Sequence, residues 1–264
     1  MTAKRRITVS QFRGFKSQDR KITMLTAYDF PTAQLVDQAG VEGVLVGDSL
    51  SMVVQGHDST LPVTLDQIIY HAEIVGRAVE RALLVVDMPF PTYRLGIHKA
   101  IENAARIIKE TRAQAVKLEC GAEQAETIAA LVDSGIPVMG HVGLSPQSVH
   151  VSGYRVQRDG KRLTNDALAA QQAGAFAVVV ECVSPAIASA LTSAVEIPTI
   201  GIGAGGDCDG QILVTHDLLG LTSGYVPSFV RRYADLRGVV TDAVNRFSDD
   251  VRAGRFPGEE ETFK

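Results

Sequence analysis

The sequence predicts a single-domain (β/α)8 barrel, and three observations predict it. Short apolar runs alternate with helical patterns along the chain, the runs are continuously apolar as in strands buried on both faces, and polar residues recur where run after run ends. At 264 residues the chain has the length of one such barrel, read as a single domain over 1–264. Hydrophobic residues make up 45% and charged residues 21%, which allows a sizeable core and argues against disorder.

Taken in order, residues 7–17 read as a short helix ahead of the first strand, which is predicted at 22–29. Further β-branched runs at 43–49, 82–87, 115–119, 137–143, 176–182 and 197–203 bring the readable strands to seven. Helical patterns lie between them at 65–80, 97–110, 122–134, 165–173 and 185–195. Gln38-Ala39-Gly40, Asp133-Ser134-Gly135 and Gln172-Ala173-Gly174 are small-residue stops that suit short connections from helix to strand. The eighth strand is weak; its expected place is 217–223, after a helix around 209–214, with an extra C-terminal helix over 231–252.

Charge and targeting signals narrow the function classes. Lys+Arg 26 against Asp+Glu 30 leaves a net charge of −4 without a long single-sign block, so no basic stripe is available for nucleic acid. Lys4, Arg5 and Arg6 are basic, but 7–13 interrupts the apolar run that a secretory signal needs. No stretch approaches the roughly 18 apolar residues of a membrane span. Cys120, Cys182 and Cys208 are odd in number, widely spaced and without a C-x-x-C pair, which argues against a disulfide framework or zinc knot and fits a reducing cytoplasm.

An open doubly wound sheet shares this alternation, but it gathers its site at one switch point, whereas a barrel collects side chains from many strand ends. Here Asp29, Asp48 with Ser49, Asp87, Lys117 with Glu119, His141 and Glu181 end six of the seven runs. A single Asp or Ser in that place is often only a helix N-cap. Lys117 and Glu119 lie inside an apolar strand where capping is not open to them, and alternation puts both on one face. The same alternation turns Cys120 and Cys182 away from that face, as core thiols.

Asp48, Asp87 and Glu119 come from the second, third and fourth strands, close enough in a barrel to share a divalent cation. All-oxygen ligation favours Mg²⁺ over zinc. The competing reading pairs these acids with Lys117 and arginines. A cation held in this way can polarise a 2-oxo acid and stabilise its enolate, with Lys117 donating to the enolate oxygen and Glu181 as general base. His141 is read either as a substrate contact or as a structural donor. Gly201-Ile-Gly-Ala-Gly-Gly206 formally fits a dinucleotide fingerprint, but it belongs to the seventh unit and Asp207, Asp209 and Gly210 dilute the helix that should follow. Backbone approach to a ligand at the barrel mouth suits these glycines better.

Several segments together resemble the ketopantoate hydroxymethyltransferase family: Thr23-Met-Leu-Thr-Ala-Tyr-Asp29, Val46-Gly-Asp-Ser49, Val54-Gln-Gly-His-Asp-Ser-Thr-Leu-Pro-Val63, Asp87-Met-Pro-Phe90, Val116-Lys-Leu-Glu119, Gly140-His-Val-Gly-Leu-Ser-Pro-Gln147, Glu181-Cys182 and Gly201-Ile-Gly-Ala-Gly205. The run from Val54 to Val63 is the most specific, because neither helix nor barrel packing demands that order. The resemblance implies a barrel of the phosphoenolpyruvate/pyruvate superfamily that transfers a hydroxymethyl group from the co-substrate 5,10-methylenetetrahydrofolate to 3-methyl-2-oxobutanoate, giving 2-dehydropantoate for pantothenate biosynthesis. It implies Asp48, Asp87 and Glu119 as the Mg²⁺ site, Ser49, Asp87 and Lys117 as oxo-acid binders, Glu181 as proton acceptor and His141 as the histidine of the family's segment. It also implies a homo-oligomer, often a decamer. Arg158 departs from the family pattern, which has Gly there. Three alternatives stay open: a carbon–carbon lyase of the isocitrate-lyase type, whose K-C-G-H loop is absent here; an aldolase using Lys117 as a Schiff base; and a barrel that binds metal and oxo acid without turning over.

Overall fold

A computed structural model describes residues 6–263. Lys4 and Arg5 of the basic N-terminus lie outside them. The chain divides into two compact units, Met1–Val214 and Thr215–Lys264. The first is a closed barrel of eight parallel strands in sequence order: β1 Ile22–Thr26, β2 Gly43–Val46, β3 Leu83–Asp87, β4 Ala115–Glu119, β5 Val138–Gly143, β6 Ala177–Glu181, β7 Thr199–Ile202 and β8 Gly210–Leu213, which pairs back onto β1. The helices of this unit are α1 Val9–Gly14, α2 Phe30–Gln38, α3 Leu50–Val53, α4 Leu65–Ala78, α5 Ile97–Glu110, α6 Ala125–Asp133, α7 Val149–Ser152, α8 Gly160–Gln172 and α9 Pro185–Ala194.

Alternation along the strands builds two apolar layers. Val44 and Val46, Leu84 and Val86, Val116 and Leu118, and Val178 and Val180 pack outward with the helices, while Leu45, Leu83, Val85, Ala115, Met139, Ala177, Val179, Ile200 and Ile212 fill the barrel interior. Phe12 of α1 joins the inner layer, fully buried and edge-on to Phe176 with ring centroids 5.8 Å apart, so the predicted N-terminal helix belongs to the barrel's packed interior.

The helix starts follow local capping chemistry. Thr8 and Thr64 form capping boxes with Gln11 and Gln67, and Asp29, Asp159 and Ser184 accept from the N–H groups of Thr32, Arg162 and Ile187. The Asp159 cap explains why α8 begins before the predicted 165.

The eighth strand corrects the sequence reading: β8 stands at Gly210–Leu213, where a helix was expected, and the residues of 217–223 form no strand. Four residues that begin Gly-Gln are too few to announce a strand from sequence, and pairing with β1 and β7 makes them one, with only Gln211 exposed. Gly210 is required there, because a Cβ would meet the Ile22 carbonyl oxygen at 2.5 Å.

The second unit holds α10 Thr215–Leu218 and α11 Leu236–Arg252. The terminal helix starts later than the expected 231, at an Asp235 cap that accepts from the Gly238 N–H. Along α11, Val240, Val244, Phe247 and Val251 recur at helical spacing and are 53%, 56%, 54% and 46% exposed.

Candidate active site

The inward face of β3 to β6 changes character along its length. Leu83 and Val85, Ala115, Met139, and Ala177 and Val179 are apolar; further along the same faces stand Asp87, Lys117 and Glu119, His141, and Glu181. Parallel strands send all carboxyl ends the same way, so a polar layer lies on an apolar floor. Register aligns the partners, with Asp87 opposite Lys117, Glu119 opposite His141 and Gly143 opposite Glu181. Gly143 adopts φ 105°, and a Cβ there would meet the Glu181 carbonyl oxygen at 2.1 Å; only glycine lets β6 approach so closely.

The side chains form a continuous chain of contacts. Lys117 Nζ lies 2.9 Å from Asp87 Oδ1 and 3.4 Å from His141 Nδ1, and His141 Nε2 lies 3.1 Å from Glu181 Oε2. An ammonium offers only donors, so it makes Nδ1 the acceptor and leaves the ring proton on Nε2, facing Glu181. Asp87 Oδ1 and His141 Nε2 are buried without a well-aligned hydrogen bond, so these contacts are chiefly electrostatic. The Asp48 N–H donates to Asp87 Oδ2 at 3.0 Å, and Ser49 Oγ is 2.7 Å from Tyr28 Oη. Glu119 accepts from Ser145 Oγ and from the Gln147 N–H. Asp48, Ser49, Asp87, Lys117, Glu119, His141 and Glu181 thus gather at this end of the barrel, whereas Asp29 serves as a helix cap, with Oδ1 accepting from the Thr32 N–H at 2.8 Å.

Asp48, Asp87, Lys117, Glu119 and His141 are all buried, whereas the Glu181 side chain keeps 17% exposure. Three buried acids face one ammonium. Burial and then the Asp87 carboxylate hold the Asp48 carboxyl well above its usual range. Burial does the same to Glu119, against its hydrogen bond from Ser145 and the charge of Lys117. Burial opposes the charge on Lys117, but Asp87, Asp48 and Glu119 outweigh it and raise its ammonium above the ordinary lysine value. The pocket is therefore short of positive charge and rich in carboxylate oxygen, the donor chemistry that suits a hard divalent cation. Among the described residues no three acidic, histidine or cysteine side chains form a ready ligand set; Lys117 contacts Oδ1 of Asp87 and Gln147 donates to Oδ2 of Asp48.

Cys120 packs against the outer apolar layer and burial pushes its thiol up to about 12; Cys182 is pushed up to about 11 for the same reason. Neither has the lowered value of a nucleophilic thiol. The long connection after β2 begins with α3 and is held by Ser51 Oγ donating to the Ser59 carbonyl at 2.7 Å. Arg158 is exposed, between the bridge that pairs Gln157 with Val183 and the Asp159 cap.

Reading by strand ends missed four residues. Gln147 and Ser145 lie inside the Gly140–Gln147 segment and Tyr28 inside the Thr23–Asp29 segment, so both motifs already contained them; Tyr93, whose Oη donates to Gln147 Oε1 at 2.8 Å, carries no sequence signal.

Comparison with known proteins bears on the family and the fold. The sequence model of the ketopantoate hydroxymethyltransferase family matches residues 6–259. The 3-methyl-2-oxobutanoate hydroxymethyltransferase of Rhodopirellula baltica is 56% identical over 99% of this chain and 97% of its own length. The protein of that name from Desulforapulum autotrophicum is 53% identical over 98% of this chain and 99% of its own. Among solved structures, 2,3-dimethylmalate lyase, a PEP mutase/isocitrate lyase superfamily member, aligns with a TM-score of 0.63 at 17% identity, covering 97% of this chain and 92% of its own. Phosphonopyruvate hydrolase in complex with oxalate and Mg²⁺ aligns with a TM-score of 0.63 at 16% identity, covering 96% and 93%. At such identities the structural likeness speaks for the barrel fold alone. The match over nearly the whole sequence decides the family: the chain belongs to the ketopantoate hydroxymethyltransferases.

Proposed function

We propose that this enzyme transfers a hydroxymethyl group from 5,10-methylenetetrahydrofolate to 3-methyl-2-oxobutanoate, giving 2-dehydropantoate. The observation that carries the reading is the polar layer Asp87, Lys117, His141 and Glu181 over an apolar floor, in a chain matched to this family from residue 6 to 259.

Asp48, Asp87 and Glu119 would hold Mg²⁺. When bound, it supplies Lewis-acid polarisation of the oxo acid and the positive charge that these carboxylates lack. The protein's own groups do the rest. Ser49, its hydroxyl set by Tyr28, would bind the substrate carboxylate. The Lys117 ammonium, kept charged by its acidic neighbours, would donate to the oxygen on which negative charge develops as the C3–H bond breaks. Glu181, the most exposed acid of the layer, would take that C3 proton, with the His141 ring holding its carboxylate in place. Water would break both C–N bonds of the methylene bridge, releasing tetrahydrofolate and a one-carbon unit at the oxidation level of formaldehyde; the C3 carbanion adds to that carbon, and the resulting alkoxide takes back the proton held by Glu181.

We further propose a homo-oligomer, up to a decamer, supported by the half-exposed apolar row of α11. A reducing, cytoplasmic setting is supported by three free cysteines. Among the described residues no helix is long and apolar enough to cross a membrane.

The test is formation of 2-dehydropantoate from 3-methyl-2-oxobutanoate and methylenetetrahydrofolate, with and without Mg²⁺, followed alongside C3 deuterium exchange. Folate- and Mg²⁺-dependent product supports the proposal. Exchange without product would reduce it to an enolising activity, and borohydride trapping of substrate on Lys117 would replace it with Schiff-base chemistry.

A further inference from the structure

One buried residue of the mouth has no part in the scheme above, although it touches two of the three acids. Gln147 follows β5 in a short turn, is 5% exposed, and uses every polar group it can direct into the site. Its backbone N–H lies 3.1 and 3.2 Å from the two oxygens of Glu119. Its side-chain Nε2 donates to Asp48 Oδ2 at 2.8 Å and to the Met88 carbonyl at 3.1 Å. Its Oε1 accepts from Tyr93 Oη at 2.8 Å.

Two acceptors on one end of the amide and a hydroxyl on the other settle which end is nitrogen. They also fix the side chain against rotation. One residue therefore joins the carboxyl ends of the second, third and fourth strand units, and it does so without adding charge to a pocket already crowded with carboxylates. A lysine could donate to Asp48 but could not accept from Tyr93. A glutamate would set a fourth acid against Asp48.

We propose that Gln147 is a positioning residue that fixes Asp48 relative to Glu119 for the divalent cation, with Tyr93 locking the amide in its donating orientation. This rests on the Mg²⁺ reading above. Such outer partners orient ligands, and their loss commonly weakens metal binding far more than it alters the fold.

The experiment is calorimetric titration of the full-length protein with MgCl2 alone, with oxo acid and folate left out, for the wild type, Gln147→Met and Tyr93→Phe. Methionine keeps the length and the backbone N–H but removes the amide. The expected result is a Kd for Mg²⁺ raised about 10- to 100-fold in Gln147→Met, and raised by a smaller factor of about 3 in Tyr93→Phe, as for loss of an outer-shell hydrogen bond. A purely structural role predicts a lower urea midpoint with an unchanged Kd, and that outcome overturns the proposal. If Gln147→Met does not fold, Tyr93→Phe decides: wild-type affinity there overturns the locking role and with it the proposal. Failure of the wild type to bind Mg²⁺ overturns both this inference and the metal reading, whereas wild-type binding with unaltered variants overturns this inference alone.

Discussion

Glu119 and Glu181 end β4 and β6, on either side of His141 in the same layer, yet their surroundings give them different work. Glu119 is 2% exposed and accepts from Ser145 and the Gln147 N–H; the Glu181 side chain keeps a solvent-facing edge and lies 3.1 Å from His141 Nε2 without a well-aligned hydrogen bond. A carboxylate fixed by outer hydrogen bonds that leave it lone pairs to give suits a ligand, and a freer one suits a base. We predict that Glu181→Gln still binds Mg²⁺ and oxo acid but loses roughly 10²- to 10⁴-fold in C3 proton exchange, the usual worth of a general base. Exchange at the wild-type rate would assign the proton to another group. Glu119→Gln should abolish Mg²⁺-dependent turnover while circular dichroism stays native, because the substitution lies at the mouth and not in the barrel floor; wild-type turnover would remove Glu119 from the site. The aspartates show the limit of such reasoning from sequence. Asp29 and Asp48 both follow strands, but one caps α2 and the other donates its N–H to Asp87 of the neighbouring strand and accepts from Gln147, and only their partners tell them apart.

Between elements, two acids tie the helices to the barrel's other end. Asp37 of α2 is buried and accepts from the Glu80, Arg81 and Ala82 N–H groups at 3.0, 3.1 and 2.7 Å, anchoring the link from α4 to β3. Asp37→Ala leaves these donors without their acceptor and should cost about 2–3 kcal/mol, measured by urea unfolding; a loss below about 0.5 kcal/mol would mean that water replaces the carboxylate. Glu42, just ahead of β2, accepts from the Thr23 N–H and hydroxyl at 2.9 and 2.7 Å and from Arg20 at 2.7 Å. Burial works against its charge, but these partners win and hold its carboxyl below the ordinary value. A depressed folded-state pKa contributes stability that is present above the unfolded value of about 4.5 and is lost as pH falls through the folded one. The melting temperature of wild type should therefore exceed that of Glu42→Gln at neutral pH, with the gap closing below about pH 4; a gap independent of pH would show that the charge of Glu42 contributes nothing.

At the scale of the molecule, the row Val240, Val244, Phe247 and Val251 on α11 bears on assembly. Phe247→Asp should lower the mass measured by light scattering if the row is an interface, and an unchanged mass would place the subunit contacts elsewhere. The sequence by itself determined the alternation of strand and helix, seven of the eight strands, the polar layer from Asp48 to Glu181 and the family, because strand burial and residue chemistry leave local, periodic traces. It could not determine β8, whose four residues become a strand only by pairing with β1 and β7. Nor could it show that Asp29 caps a helix, or that Tyr93 meets Gln147 across 54 residues of chain. Those outcomes depend on barrel closure, which brings distant backbone groups and hydroxyls into contact, and closure is a property of the whole sheet that no window of neighbouring residues contains.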